Sequence, residues 1–432
     1  MSACPGTFPA SQEGRFPLSM KESVFGVRRR TAAILVSIIV GFALLTSAYT
    51  LTFGRTFRKP SGDGVGYEKM AKQLLTRHVY GYKSTRPNAY VSPGYPLFLA
   101  GVYGVSGHAV DGRPRLLLVG LQILLTCGTL FAVFLIGRRL ANDAVGLTAA
   151  ALVALYPPTI VATNLWLTET LGTFTLMWFV YAALVASQQK GWKPWALAGA
   201  LLGLAILVRP AVLPLGVAPF LVLSVMGPRV GLVRAMGAFG VALVLVMTPW
   251  VVRNEITLHE PAVLSSHSGD PLLAGVDPYY YELGPTYTFH GSTYERYYTE
   301  KAVVSKQAYA QTALAESFQT RPLQSFWWFS FGKGVHLFEK GWLASTGYAG
   351  TWSTLMRSLI VVLGWIGVVY SFKNRRLLVL ASMVVLGTAG LLPFVPEARF
   401  VFSYIPLLAV LAACLLQRLW SAPILVDEGS AA

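Results

Sequence analysis

Ten stretches of 14 to 23 mainly apolar residues run through the chain, separated by short polar turns and two long mixed segments. A helix needs about 20 such residues to cross the hydrocarbon core of a bilayer. The pattern therefore predicts spans at Thr31–Phe53, Leu116–Ile136, Ala144–Asn164, Leu165–Ser187, Trp195–Val208, Ala211–Met226, Leu232–Val252, Thr351–Phe372, Leu377–Val395 and Phe400–Leu416. The fifth and sixth are short and meet at Arg209-Pro210, which predicts two tilted half-length spans, since both residues are costly at mid-membrane. The first is too long, and too far from the terminus, for a cleaved signal peptide.

Ten spans put both termini on one side, and the basic residues say which. The segments sharing a side carry Lys21, Arg28, Arg29 and Arg30, then Arg138 and Arg139, Lys190 and Lys193, Arg229 and Arg234, Lys373, Arg375 and Arg376, and last Arg418. Excess Lys and Arg mark cytoplasmic loops. The chain thus reads as an all-α polytopic membrane protein, a multi-pass protein of a bacterial inner membrane with cytoplasmic termini. Its expected parts are a tail at 1–30, a transmembrane module at 31–252 with an outer loop at 54–115, a large outer loop at 253–350, transmembrane helices at 351–420, and a tail at 421–432. Within the large loop, Tyr294–Phe318 is predicted to be an amphipathic helix. Ser325–Phe338 is predicted to lie in the membrane interface, interrupted at Gly332-Lys333-Gly334.

Composition narrows the class. Of the 432 residues, 54% are hydrophobic and 12% charged, yet the formal net charge is +16. This hydrophobicity excludes a disordered chain. A nucleic-acid binder keeps many more charges, clustered on a water-facing surface, so no nucleic-acid partner is expected. Much of the basic excess is the orientation signal, but the first outer loop adds its own, with ten basic residues against Asp63, Glu68 and Asp111. Cys4 falls in a tail, and Cys127 and Cys414 fall in spans, so no outer disulfide is expected. The six histidines lack ligand-like spacing, so no metal site is assigned.

The candidate chemistry lies at the outer ends of the spans. Gly62-Asp63-Gly64 opens the first outer loop, where flanking glycines let the backbone turn and leave the carboxylate unobstructed; capping a helix N-terminus is the competing role for Asp63. Met70–Leu75 reads as helical, with Tyr67, Met70, Ala71, Leu74 and Leu75 on one face. A Pro-Gly turn in Ser92-Pro93-Gly94-Tyr95-Pro96 leads into an apolar helix too short to span. Glu169, in Leu167-Thr168-Glu169-Thr170-Leu171, is a membrane-level acid, open to three roles: orienting an acceptor, holding a divalent cation with Asp63, or pairing with Arg209 or Arg399. Arg86, Arg209, Arg253, Lys333 and Arg399 are cations at the outer level, each open to phosphate binding or to snorkelling. Glu397 is close enough to Arg399 for a local salt bridge. Asp270 and Asp277 read as turn formers, and Tyr279-Tyr280-Tyr281 as sugar-stacking rings or an interfacial anchor.

These motifs, in this order, resemble the multi-spanning glycosyltransferases that use lipid-linked sugars, the GT-C group containing the protein O-mannosyltransferases and the aminoarabinose transferases of lipid A. The resemblance rests on Asp63, Tyr67 and Ala71, on the Ser92–Ala100 segment, on Leu167–Leu171, and on Val208-Arg209-Pro210. It rests also on Pro249-Trp250-Val251-Val252-Arg253-Asn254 and Pro396-Glu397-Ala398-Arg399-Phe400. It implies a GT-C fold and an inverting transfer from a polyprenyl-phosphate sugar to a lipid, glycan or protein acceptor at the outer face. It also implies that Asp63 stands at the reacting sugar, with Tyr67, Tyr95 and the outer cations binding substrate. The chain departs from the aminoarabinose transferases where they carry a Glu-Lys pair before the Pro-Gly segment; here Ala89 and Tyr90 stand nearby. Chemically, a base at Asp63 suits attack by an acceptor hydroxyl. A lipid-phosphate leaving group needs cations rather than an acid. Two other readings remain open: a transporter or flippase of a lipid-linked or anionic substrate, and a non-catalytic scaffold of the same fold.

Overall fold

The computed structural model describes residues 23–24, 27–53, 60–108, 110–189, 191–226, 231–259, 264–265, 269–276, 305–339 and 350–421. Apart from a two-residue antiparallel pairing of Ser23–Val24 with Val27–Arg28, its regular elements are helical. Six helices are long and apolar enough to cross a membrane: Arg29–Phe53, Arg115–Leu140, Glu169–Gln188, Leu232–Leu258, Thr351–Tyr370 and a segment over Phe402–Trp420. Shorter apolar helices include Asp143–Leu155, Lys193–Val208 and Gly94–Val105. This is an integral membrane protein. The spans pack through small residues, as helices do where lipid leaves little hydrophobic drive for association. At the crossing of 115–140 with 143–155, a Cβ on Gly137 would stand 2.8 Å from the Gly146 Cα.

The third predicted span is broken. Helix Asp143–Leu155 stops at Tyr156, which is extended at φ −76° and ψ 110°, and Pro157 opens a second helix at Pro157–Ala162. Proline disfavours helical backbone in the residue before it. The fourth span begins only at Glu169, leaving 163–168 non-helical. Buried side chains stabilise that backbone, because lipid offers it no partners. Gln122 Nε2 donates to the carbonyls of Thr163 and Leu165 at 2.9 and 3.0 Å, and Thr50 Oγ1 donates to Asn164 Oδ1 at 2.9 Å.

Two outer-segment expectations need correction. The helix expected from Tyr294 starts at Lys306 and runs to Thr320, because Ser305 caps it by accepting from Ala308 N at 3.2 Å; residues 294–304 lie outside the described residues. The aromatic segment is not interrupted at its glycines. Helix Pro322–Trp327 continues through a π-turn at Trp328–Gly332 into helix Lys333–Glu339. Asp270 stands in the first turn of helix Gly269–Val276, while Asp277 and Tyr279–Tyr281 lie outside the described residues.

The segment between the first two long spans, expected from the sequence to be the first outer loop, forms a compact layer of packed helices. Helix Asp63–Arg77 buries Met70 and Ala71 and packs Tyr67, Leu74 and Leu75 against Tyr95, Leu99 and Tyr103 of helix Gly94–Val105. Glu68 is buried within it, pairing with Arg113 Nε at 2.8 Å and Lys72 Nζ at 3.6 Å and accepting from the Tyr103 hydroxyl at 3.1 Å.

Candidate functional site

Asp63 does not cap its helix. Gly62 occupies the N-cap with φ +53°, a left-handed conformation that glycine takes without a Cβ penalty. Asp63 is thereby the first helical residue, and its carboxylate is free to point across the bundle. There, Arg399 Nη1 donates to Asp63 Oδ2 at 2.8 Å, and the Tyr82 hydroxyl donates to Oδ1 at 3.4 Å. The Asp63 side chain keeps 37% exposure, enough for a substrate to reach it. Arg399 also pairs through Nε with Glu397 Oε2 at 2.9 Å. Burial works against the Arg399 charge, but Glu397, Glu169 and Asp63 outweigh it and hold the guanidinium above its ordinary value.

A second charged pair lies deeper. Glu169 opens helix Glu169–Gln188, an N-terminus that favours an anion, and Arg209 Nη1 approaches its Oε1 at 3.5 Å. Their side chains are 3% and 10% exposed. Arg209 lies beyond the last turn of helix Lys193–Val208, before Pro210. Its stem crosses helix 169–188 at Gly172, where a Cβ would come within 2.7 Å of the Arg209 Cδ. Several buried polar atoms around this pair lack a hydrogen-bond partner among the described residues: Glu169 Oε2, Thr170 Oγ1 and the hydroxyls of Tyr95 and Tyr404. Buried polar groups are nearly always satisfied, so such a group calls for an explanation. Thr173 Oγ1 donates to Ser403 Oγ at 3.0 Å, tying helix 169–188 to the turn that carries Tyr404. Thr170 and Thr173 also line, with Thr126, Thr129, Thr159, Tyr156 and apolar neighbours, a small gap between the helices.

Tyr67 connects the two pairs. Its ring meets Tyr82 at 6.0 Å and Tyr95 at 5.3 Å. Burial, then the charges of Asp63 and Glu169, keep its hydroxyl protonated well above its ordinary range. Tyr82, which no sequence motif singles out, stacks on Tyr90 at 5.2 Å and 7°. Gly66 leaves room for its ring, since a Cβ there would stand 2.2 Å away. Asn88 fixes the loop that presents it, accepting from Tyr82 N at 3.0 Å and donating to Tyr82 O at 3.1 Å.

Three of the sequence-predicted cations stand apart from this cluster. Arg253 donates to the carbonyls of Asn88 and Tyr80 at 3.1 and 3.0 Å and to Asn254 Oδ1 at 2.8 Å, and its guanidinium lies over the rings of Tyr80 and Trp250. It stitches the end of helix Leu232–Leu258 to the first outer loop. Arg86 is exposed on that loop. Lys333 is fully buried, with Nζ donating to three backbone carbonyls; burial works against its charge and holds it below its ordinary value. Asp63 and Glu169 each face an arginine, and no group of three or more His, Cys, Asp or Glu fit for a metal occurs among the described residues.

Residues 92–252 match the family described as dolichyl-phosphate-mannose-protein mannosyltransferase. No curated protein matches the sequence. Among solved structures, the chain is similar to the archaeal oligosaccharyltransferase AglB from Archaeoglobus fulgidus, in complex with an inhibitory peptide and a dolichol-phosphate. That match has 14% identity and a TM-score of 0.51, covering 89% of this chain and 50% of the other. An Archaeoglobus fulgidus oligosaccharyltransferase in complex with zinc and sulfate gives 15% identity and a TM-score of 0.52, covering 89% and 49%. ArnT from Cupriavidus metallidurans, bound to undecaprenyl phosphate, gives 14% identity and a TM-score of 0.52, covering 89% and 60%. The chain thus spans about half the length of the oligosaccharyltransferase chains. It has the GT-C fold of the glycosyltransferases that use lipid-linked sugars.

Proposed function

We propose that this chain transfers a sugar, a hexose or a pentose, from a polyprenyl-phosphate donor to an acceptor hydroxyl at the extracytoplasmic face of a membrane, with inversion at the anomeric carbon. The observation that carries the reading is the Asp63 carboxylate, reachable from outside and oriented through both oxygens by Arg399 and Tyr82. In the reaction, the acceptor oxygen bonds to the anomeric carbon on the side opposite the phosphate, and its proton passes to Asp63. The bond from that carbon to the phosphate oxygen breaks, and its electron pair leaves with the lipid phosphate. Arg399 and Arg209 each keep N–H donors beyond those spent on carboxylates, and these stabilise the departing phosphate. The unpartnered Glu169 Oε2 and the hydroxyls of Tyr95, Tyr404 and Thr170 suit a polyhydroxylic ring, which both donates and accepts hydrogen bonds. Arg253 and Lys333 then act through the scaffold, and Arg86 meets an acceptor at the rim. A lipid, glycan or protein is the acceptor class, a bacterial inner membrane the setting, and both termini are cytoplasmic.

Purified full-length protein in liposomes, given a panel of undecaprenyl-phosphate hexoses and pentoses and envelope fractions as acceptors, tests the reading. Product with the anomeric configuration opposite to that of the donor is expected; retention would overturn the single-displacement mechanism. The discontinuous helices at 143–162 also suit a transporter of lipid-linked substrates. Accumulation of intact donor on the far leaflet, without any covalent product, would favour that alternative.

A further inference from the structure

Lys333 is enclosed completely, and no carboxylate pairs with it among the described residues. Burying a lone ammonium is costly unless its hydrogens find acceptors. Here all three acceptors come from one run of backbone, the carbonyls of Leu392 at 2.7 Å, Pro393 at 3.4 Å and Phe394 at 3.2 Å. The Phe329 ring centre lies 4.0 Å from the same nitrogen, adding a cation–π attraction. An aliphatic side chain would fill the space without the desolvation cost. What the ammonium adds is that it fixes three carbonyls in place.

The same run is gripped from another element. Val395 N donates to the Pro271 carbonyl at 2.9 Å. Gly275 lies so close that a Cβ there would stand 2.4 Å from the Phe394 carbonyl carbon. Residues 392–395 are therefore held between helix 269–276 and helix 333–339, both from the large outer segment. Directly beyond comes Pro396, whose φ is locked by its ring, then Glu397 and Arg399, the two residues that meet Nε to Oε2 beside Asp63.

We propose that Lys333 is a positioning residue: by fixing the 392–394 carbonyls it sets Arg399 against Asp63, so the large outer segment governs how the Asp63 carboxylate is held. Its consequence for sugar transfer rests on the reading of Asp63 as the base, whereas the mechanical coupling does not.

Carbodiimide labelling of Asp63 in the purified full chain in nanodiscs, read by peptide mass spectrometry, tests the coupling without turnover. The reagent attacks the protonated acid, so labelling rises when a carboxylate loses its cation. Arg399→Gln sets the scale. Lys333→Met should raise Asp63 labelling in mild acid about tenfold or more, as expected for loss of a direct arginine partner, and should add nothing in the Arg399→Gln background. Gly275→Ala, which crowds the same run from its other side, should act in the same direction and serves if Lys333→Met does not fold. Labelling of Glu68, whose partners lie elsewhere, should stay unchanged. Wild-type labelling of Asp63 in these variants, or additive effects with Arg399→Gln, would overturn the proposal. Raised labelling with undiminished sugar transfer would uphold the coupling and overturn the reading of Asp63 as the base.

Discussion

At the residue scale, the environment of Asp63 is set by three hydrogen-bonding choices: Gly62 rather than Asp63 at the helix cap, Arg399 on one carboxylate oxygen at 2.8 Å, and Tyr82 on the other at 3.4 Å. The Tyr82 contact is long for an O–H···O bond, so Tyr82→Phe should lower kcat/KM only modestly, by about threefold. It should also move the acidic limb of the pH profile to higher pH, because a donor to the charged form is lost. An unchanged limb would contradict the contact's role. Glu68 offers a structural contrast. Glu68→Gln leaves Arg113 and Lys72 without their shared anion; because Arg113 is partly exposed, the cost should be about 1–3 kcal/mol, seen in thermal unfolding with transfer per folded molecule unchanged. Asp63, Glu169 and the two arginines stood out in the sequence because isolated charges at span ends are conspicuous. Tyr82 did not, since nothing in a run of loop tyrosines says which hydroxyl reaches a carboxylate. The motifs around Arg209 and Arg399 set them ahead of Arg253 and Lys333, but nothing in the sequence says what occupies the latter two, because backbone carbonyls have no sequence signature.

At the scale of elements, hydropathy located the spans because lipid imposes length and apolarity directly. It missed the break at Tyr156 because Pro157 and Pro158 are apolar enough to hide within the window while forbidding continuous helix. It missed the continuity of 322–339 for the opposite reason, since Gly332 closes a π-turn and Gly334 sits within the helix that follows. The short loop around Asn88 is the element most tightly tied to the site. Asn88→Ala removes both side-chain bonds to Tyr82 and should free that ring from Asp63. The expected outcome is a fall in kcat of about threefold, no more than Tyr82→Phe removes, with donor-lipid affinity retained. Equal loss of affinity and rate would place the loop's role in binding instead.

At the scale of the whole molecule, the first outer loop concentrates protonated tyrosines. Burial, the leading cause in each case, holds Tyr67, Tyr80, Tyr95 and Tyr103 above their ordinary range and pushes Tyr82 up to about 12. Below about pH 10 both folded and unfolded chains keep these protons. Above it the unfolded chain releases them first, so the folded state binds more protons and stability falls as pH rises. Thermal stability, to which the lowered Lys333 adds a rise with pH below about 10, should turn and decline steeply above about pH 10; no decline beyond that would contradict the burial of this layer. In the proposed topology the basic excess divides into an orientation signal and an outer-loop charge. An impermeant maleimide should label Arg86→Cys, and not Ser430→Cys, from the outer side of sealed vesicles. The central claim is that Asp63 takes the acceptor proton in sugar transfer from a lipid phosphate. Its most direct test is the transfer rate of Asp63→Asn with undecaprenyl-phosphate sugars in liposomes, alongside binding of the donor lipid. A loss of about a hundredfold or more with the lipid still bound is the predicted result; transfer at the wild-type rate would contradict it.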